Sequence, residues 1–350
     1  MRTSTGLSRR IALALVSIAL AGAGLEFALR LLDAGPVAVN PDQRNLWAYH
    51  PHLGWTNRVG YRGVFDNGHF RVHVAINALG LRGPEVAAQK PASTRRILVI
   101  GDSFAWGFGV EYEEIFGTRL AADLPNTDVI NGGVSGYSTD QALLWLRSEG
   151  RRYEHDVVVY VLSGNDDFMN HMQLAYWIYY KPSFRLNREG DLVLQGVPVL
   201  RSSASDRFRH SLRSRSAIAK AIEVAIAGRE ASFVYLADSQ PDPRDPHRLT
   251  VALVDAMREE ASRAGASFVV VANSQFWFSP SGSHARLIGE LRSAGHDVID
   301  VESEPGWEPE KMQIPGDGHW NAMGHDFVAG LVGDWLRSKV KVSPKHRQIE

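Results

Sequence analysis

The 350-residue chain contains no cysteine, which excludes disulfide bonds, thiolate metal sites and cysteine nucleophiles. It also lacks an excess of charge of either sign, with 38 Lys and Arg against 39 Asp and Glu. Proteins that bind nucleic acid usually carry a basic excess or a basic stripe, so we predict no nucleic-acid partner. The length allows one large domain or two small ones with a substantial core.

A long apolar run occupies the N-terminus from Ile11 to Leu32 and is preceded by three arginines. A helix of about 22 residues reaches roughly 33 Å, enough to cross the hydrocarbon core of a bilayer. The shorter stretch 11–25 has the length of a signal-peptide apolar region and overlaps a cleavage-like Ala-Gly-Ala. Both interpretations place the basic end in the cytoplasm and the remainder outside it. We predict a retained anchor over residues 1–35, with cleavage and secretion as the alternative.

Residues 36–94 form an irregular extension rich in Pro, Gly, Asn and aromatic residues, ending in a linker to the main domain. The segment 70–76 alternates apolar and polar residues, which predicts a strand with one covered face.

Two histidine pairs in this extension, His50 with His52 and His69 with His73, have spacings compatible with metal ligation. An i,i+4 spacing on a strand separates the rings of the second pair, and no third ligand is near in sequence. We therefore predict no metal and no cofactor.

From residue 95 to 338, short apolar segments alternate with helical patterns. The predicted strands, rich in Val and Ile as in a parallel sheet covered on both faces, are 96–100, 128–131, 156–162, 267–272 and 297–301. The predicted helices are 113–123, 139–149, 249–264, 282–294 and 321–339. This alternation predicts an α/β fold, a three-layer α/β/α sandwich with right-handed crossovers.

Two segments stand outside the alternation. An insertion at about 168–236, containing the aromatic run Tyr176–Tyr180, is predicted to form a lid region near the active edge. Residues 339–350 are basic and polar and are predicted to be a solvated tail.

Polar blocks follow the predicted strands. Gly101-Asp102-Ser103 follows the first strand, Gly136 the second, Asn165 the third and His319 the last. Ligands of open α/β sheets bind beyond the carboxyl ends of the strands, so these blocks should converge on one edge.

The residue types at this edge suit acyl transfer. Ser103 is the candidate nucleophile and His319 the base that takes its proton. Asp317 is the candidate orienter of the imidazole. The backbone N–H groups of Ser103 and Gly136, with the Asn165 amide, are candidate oxyanion-hole donors.

Asp102 and Asp166 remain alternative acids, although turn and hydrogen-bond roles suit them better. His325, six residues after His319, is predicted to be a structural residue of the last helix. Neither a dinucleotide fingerprint after the first strand nor a GxSxG elbow around Ser103 is present.

The blocks GDSFAWGFGV, NGGVSGYSTDQ, SGNDD and DGHWNAMGH resemble the four signature blocks of the SGNH (GDSL-like) hydrolase superfamily. The resemblance implies a flavodoxin-like five-stranded sheet of order 2-1-3-4-5. It also implies Ser103 as nucleophile and oxyanion donor, Gly136 and Asn165 as further donors, and His319 as base. The implied activities are esterase, lipase, carbohydrate acetylesterase and O-acyltransferase.

One departure from the family pattern concerns the acid. The family usually shows Asp-x-x-His, whereas Gly316 stands three residues before His319 and Asp317 gives Asp-x-His. That spacing, followed by Trp320, resembles the DxHW form of relatives that O-acetylate exopolysaccharides such as alginate.

We therefore expect a membrane-anchored, extracytoplasmic serine esterase whose substrates are O-acetyl groups of an envelope or exported polysaccharide. The alternatives are an O-acyltransferase that passes the acyl group to a sugar hydroxyl and a non-catalytic polysaccharide-binding or assembly protein.

Overall fold

The computed structural model describes residues 4–32, 45–172, 174–175, 179–203, 216, 218, 244–274 and 283–340. The chain divides into two compact units: one comprises 1–39 and 202–233, the other 40–201 and 234–350. Most of the predicted tail, much of the insertion, and residues 176–178 of its aromatic run lie outside the described residues.

The smaller unit contains helix α1 (Ser4–Leu32). Its stretch Arg9–Leu29 has a mean hydropathy of 2.0 and is long and apolar enough to cross a membrane, a property shared by anchors and signal sequences. Glu26 interrupts the apolar run, and its carboxylate accepts hydrogen bonds from Ser216 Oγ at 2.9 Å and Ile218 N at 3.0 Å. A carboxylate in an apolar helix is therefore satisfied within its own unit.

The extension at the start of the larger unit contains two antiparallel hairpins. The first pairs β1 (Trp47–His50) with β2 (Gly54–Asn57), and the second pairs β3 (Arg62–Asp66) with β4 (Arg71–Ala75). The predicted strand 70–76 corresponds to β4, in which Val72 and Val74 are buried and Arg71 and His73 are exposed. The other three strands were not predicted, because their residues do not alternate between apolar and polar as those of β4 do.

The five predicted strands and the helices between them are present, and four short strands that were not predicted lie at 174–195, within the predicted insertion. In chain order the strands are β5 (Arg95–Gly101), β6 (Thr127–Asn131), β7 (Val157–Ser163), β8 (Leu174–Ala175), β9 (Tyr179–Tyr180), β10 (Ser183–Leu186), β11 (Leu192–Gln195), β12 (Ser267–Asn273) and β13 (Val298–Asp300). The helices are α2 (Ser103–Trp106), α3 (Phe116–Asp123), α4 (Thr139–Ser148), α5 (Gly164–Met169), α6 (Arg248–Arg263), α7 (Ser283–Ser293), α8 (Pro309–Met312) and α9 (Ala322–Val340).

Five of these strands form a parallel sheet in the order β13-β12-β7-β5-β6. Numbered along the chain, this is the order 2-1-3-4-5, so the predicted α/β fold and strand order are confirmed. The central strands β5, β7 and β12 are buried except at the first residues of β5 and β12, as expected of a parallel sheet covered on both faces.

The helices on one face of this sheet are α3 and α9. Phe116 and Leu120 of α3 pack with Val328 and Val332 of α9 against the apolar side chains of the sheet. Helix α3 begins at Phe116 rather than at the predicted residue 113, because Ile115 is extended and a short 3-10 turn precedes it.

Candidate active site

The turn between β5 and α2 presents Ser103 at the carboxyl edge of the sheet. Gly101 has a φ of +142°, and a Cβ there would lie 2.6 Å from the Val161 carbonyl oxygen, so the turn requires glycine. Asp102 caps α2 by accepting from Phe104 N at 2.9 Å. Ser103 is thereby placed at the first residue of a short helix that begins directly at the strand end.

The structure brings Ser103, His319 and Asp317 together, although 216 positions separate the serine from the histidine. Ser103 Oγ lies 2.8 Å from His319 Nε2, and His319 Nδ1 lies 2.6 Å from Asp317 Oδ1. The side chains of His319 and Asp317 are only 14% and 9% exposed. The distances fit a nucleophile–base–orienter arrangement, in which the carboxylate selects the imidazole tautomer with its proton on Nδ1.

A tight turn before α9 makes the two-residue spacing of the acid and base workable. Asp317 N and Gly318 N both donate to the Ile314 carbonyl, and Ile314 N donates to the His319 carbonyl. Gly316 and Gly318 have φ values of +76° and +93°. This turn directs the Asp317 carboxylate toward the imidazole of His319, two residues later.

Two phenyl rings bracket the imidazole of His319. The ring centroids of Phe104 and Phe108 lie 4.7 Å and 4.6 Å from that of His319. Both residues lie within five positions after Ser103, so the segment that carries the candidate nucleophile also packs against His319. The ring centroid of Trp320 lies 4.9 Å from that of Phe104.

The structure also places the alternative acids. Asp102 Oδ2 accepts from Ser163 Oγ at 2.8 Å, and Asp166 accepts from Tyr160 OH at 2.9 Å. Burial raises the pKa of Asp102, and burial together with repulsion from Asp102 raises the pKa of Asp166 well above its ordinary value. These carboxyls join the turns after β5 and β7, whereas Asp317 is the acid that meets His319 Nδ1.

Burial opposes ionisation of Asp317, but the hydrogen bonds and charge of His319, with a bond from Asn67, outweigh it. The pKa of Asp317 is therefore held below its ordinary value. The group remains a carboxylate throughout the pH range in which imidazoles titrate, as an orienter must.

The predicted oxyanion donors lie on the loops after the neighbouring strands. Gly136 has a φ of +82° and belongs to the loop after β6, whose Val134 N donates to the Gly101 carbonyl at 3.1 Å. Asn165 is half-buried on α5, directly after β7. Because β6, β5 and β7 are adjacent, these residues share one sheet edge with Ser103.

The N-terminal extension supports this edge at several points that the sequence reasoning missed. Trp55 Nε1 donates to the Ser135 carbonyl at 3.0 Å, beside Gly136. The buried Arg82 guanidinium donates to the carbonyls of Trp106 and Gly107, which follow Ser103, and to that of Val110 at 2.6 Å. These residues lie in no motif, so the sequence carried no signal for them.

Asn67 is a third contact from the extension. Its Nδ2 donates to Asp317 Oδ2 at 3.0 Å. The Asx-turn composition of Asp-Asn-Gly at 66–68 identifies a turn, but not its distant partner.

The other histidines that the sequence analysis considered have structural partners. His325 is buried and accepts from Phe116 N at 3.3 Å, and burial lowers its pKa to about 3. His50 Nδ1 accepts from His52 N at 3.2 Å, and His73 Nδ1 contacts the Glu111 carboxylate at 3.1 Å. Within the described ranges, no group of three or more His, Cys, Asp or Glu side chains is placed to hold a metal ion.

Comparison with known proteins places the chain in a family. A sequence profile of the GDSL-like lipase/acylhydrolase family matches residues 99–327, more than half of the chain. The chain belongs to this family, whose members hydrolyse ester bonds. No curated protein matches the chain in a sequence search.

Several solved structures are similar to the chain at low identity and low TM-score. A two-domain esterase active on acetylated mannans is 14% identical with a TM-score of 0.40, and the match covers 74% of this chain and 52% of that one. The lipase/acylhydrolase from Enterococcus faecalis is 15% identical with a TM-score of 0.37, covering 72% and 100%. The psychrotrophic esterase EstA from Pseudoalteromonas sp. is 15% identical with a TM-score of 0.39, covering 71% and 99%.

Proposed function

We propose that the protein is a serine esterase that removes O-acetyl groups through an acyl-enzyme on Ser103. The observation that carries the proposal is the hydrogen-bonded chain from Ser103 Oγ through His319 to Asp317, with links of 2.8 Å and 2.6 Å. Serine is a weak nucleophile on its own, and these hydrogen bonds supply the base and the orienter that it needs.

In the proposed first step, Ser103 Oγ attacks the ester carbonyl while its proton passes to His319 Nε2. The carbonyl oxygen becomes an oxyanion, for which the backbone N–H groups of Ser103 and Gly136 and the Asn165 amide are the proposed donors. Asp317 stabilises the imidazolium through Nδ1–H. The imidazolium then returns the proton to the departing alkoxide, and the acyl group stays on Ser103.

In the second step, His319 deprotonates the acceptor that attacks the acyl-enzyme. Water as acceptor gives hydrolysis, and a sugar hydroxyl gives O-acyl transfer. The imidazole acts as base and then as acid in both halves, so the same residues serve either outcome.

The proposed substrates are O-acetyl groups of an envelope or exported polysaccharide. The apolar N-terminal helix supports a location outside the cytoplasm, with a retained anchor, and the Asp317-Gly318-His319-Trp320 spacing resembles relatives that acetylate exopolysaccharides. That resemblance makes O-acyl transfer the second candidate function.

The test uses p-nitrophenyl acetate and an O-acetylated oligosaccharide as donors, with an unacetylated oligosaccharide as acceptor. Free acetate and acetylated acceptor are measured by mass spectrometry for wild type, Ser103→Ala and the matched control Ser148→Ala. Ser148 is an exposed helical serine whose Oγ bonds only its own helix at the Leu144 carbonyl in the described contacts. We expect acetate release by wild type and Ser148→Ala and its loss in Ser103→Ala.

Free acetate without acetylated acceptor would contradict the transferase candidate. Carbohydrate binding that survives in Ser103→Ala, with no turnover by wild type, would contradict the esterase and favour the non-catalytic alternative.

A further inference from the structure

The tip of the β3–β4 hairpin brings a neutral amide to the acid of the proposed triad. Asn67 Nδ2 donates to Asp317 Oδ2 at 3.0 Å, across 250 positions of sequence. The other carboxylate oxygen, Oδ1, faces His319 Nδ1 at 2.6 Å. Both oxygens are therefore held, and a rotation of the carboxylate away from the imidazole would break the Asn67 bond as well.

The two ends of the Asn67 amide have different partners. Oδ1 accepts from the backbone N–H groups of His69 at 3.1 Å and Phe70 at 3.3 Å, which closes the hairpin turn. The backbone N–H groups can only donate and the Asp317 carboxylate can only accept, so the amide oxygen must face the turn and the amide nitrogen must face Asp317. The turn needs only an oxygen acceptor, which aspartate would provide equally well.

The hairpin tip is packed against the elements that carry the acid and the base. The Phe70 ring lies 5.0 Å from that of Phe108, which in turn lies 4.6 Å from that of His319. His69 lies against Gly316, where an added Cβ would come 2.9 Å from its ring. The donor at Asn67 is thus presented from a supported position rather than from a free loop.

We propose that Asn67 is a positioning residue of the esterase site, acting through Asp317 to keep His319 aligned with Ser103. This rests on the proposed function and makes the N-terminal extension a working part of the site. A neutral amide orients the carboxylate without neutralising it, so Asp317 keeps its full charge for the imidazolium.

The central test is Asn67→Asp. This variant keeps the acceptor that closes the turn but replaces the donor with an oxygen, so two carboxylates face each other. Repulsion turns Asp317 away from His319, and we expect kcat to fall about 10- to 100-fold at pH 8 with KM within about twofold of wild type.

The pH dependence of this variant gives a signature that a structural role lacks. As pH falls toward about 6, the paired carboxyls share a proton and the hydrogen bond re-forms. The ratio of variant to wild-type kcat should rise about fivefold or more. The other titratable groups near the pair are His319 on the Asp317 loop and His69 and Asp66 on the hairpin, and Asn67→Ala, which lacks the second carboxyl, is the reference for their contribution.

Two further variants separate positioning from folding. Asn67→Ala loses the donor without adding a charge, so its kcat should fall with no pH trend in the ratio to wild type. Asp66→Ala removes a neighbouring bond of the same turn, to Gly68 N at 3.0 Å, and should leave kcat within about twofold. If kcat falls equally in Asn67→Asp and Asp66→Ala and Tm is lowered in both, Asn67 contributes to folding alone and the proposal is overturned.

An NMR measurement makes the test independent of catalysis. The downfield proton resonance of His319 Nδ1–H, assigned by its loss in His319→Gln, should exchange faster with water in Asn67→Asp and remain unchanged in Asp66→Ala. If wild type hydrolyses no ester but the resonance still responds, the proposed function fails while the positioning contact stands. If wild type hydrolyses esters and Asn67→Asp changes neither kcat nor the resonance, the positioning role is contradicted.

Discussion

The parallel-sheet region and the N-terminal extension contribute to the same site in different ways. In the sheet region, each proposed reacting group stands directly after a strand or on the turn before the last helix, within a recognisable block. The extension supplies Trp55, Asn67 and Arg82, which bond to those blocks and lie in no motif. The residues proposed to react lie in short sequence blocks. The hydrogen bonds that hold these blocks in place come from residues far away in the sequence.

The largest expected loss of kcat distinguishes Asp317, which contacts His319, from Asp102, which caps α2. Asp317→Asn is expected to lower kcat by about 10⁴-fold, because the amide favours the wrong imidazole tautomer. Asp102→Asn keeps an acceptor for Phe104 N and should lower kcat less than about tenfold. Steady-state kinetics on an acetyl ester measures both, and a reversal of the two losses would move the orienting role to Asp102.

The proposed oxyanion donor on α5 gives the next largest effect. Asn165→Ala should reduce kcat by about 100- to 1000-fold while KM changes little, because the amide stabilises charge that develops only in the transition state. Asn187→Ala, on the β10–β11 hairpin, is a control whose amide bonds the Asp191 carboxylate. A loss of less than about threefold in Asn165→Ala would remove that residue from the oxyanion hole.

A smaller effect is expected from the extension. Trp55→Phe removes the Nε1 donor to the Ser135 carbonyl, 3.0 Å away, and leaves most of the buried ring volume in place. One hydrogen bond of about 1 kcal/mol corresponds to roughly a fivefold lower kcat if the Gly136 loop loses its alignment. Hydrogen exchange of the Gly136 amide is the accompanying measurement. If neither exchange nor kcat changes, the extension does not position the Gly136 loop, and its contacts with the site are those to Asp317 and to the segment after Ser103.

The smallest effect on activity should come from an ion cluster on the helices packed beside the sheet. Arg147 in the last turn of α4, Arg151 just after that helix and Arg263 at the end of α6 contact the Glu260 carboxylate at 2.7 to 2.8 Å. Burial opposes ionisation of Glu260, but the hydrogen bonds from the three arginines outweigh it and lower its pKa to about 2.

Because the folded-state pKa lies below the ordinary value of 4.5, this stabilisation is present above about pH 5 and is lost as pH falls toward 2. Glu260→Gln should destabilise the fold by about 2 kcal/mol at pH 7, with the difference from wild type vanishing near pH 2, and should leave kcat unchanged. Denaturant unfolding at several pH values tests this, and a stability difference that grows as pH falls would contradict it.

Much of the fold, and the side chains that meet in the candidate site, could be predicted from the sequence because both rest on local signals. The nearly continuous runs of Val and Ile in β5, β7 and β12 indicate strands that are buried on both faces. Gly101-Asp102-Ser103 indicates a turn at the end of a strand. Asp317 was also predicted, although the spacing to His319 departs from the family pattern.

The contacts of Asn67, Trp55 and Arg82 could not be predicted, because each depends on how a segment of the extension packs against a distant loop. Trp55 lies on the four-residue β2, Asn67 on the turn between β3 and β4, and Arg82 after β4. Their hydrogen bonds join positions 24 to 250 residues apart. Such docking is determined by tertiary packing, for which a single sequence offers no periodic signal.

The proposed nucleophile, Ser103 activated by His319, is tested most directly by reaction of the wild type with a serine-reactive alkyl phosphonate, followed by intact mass measurement and peptide mapping. We expect a single phosphonyl adduct on Ser103, its absence in Ser103→Ala, and labelling slowed by orders of magnitude in His319→Ala. Equal labelling of all three proteins would contradict the proposal.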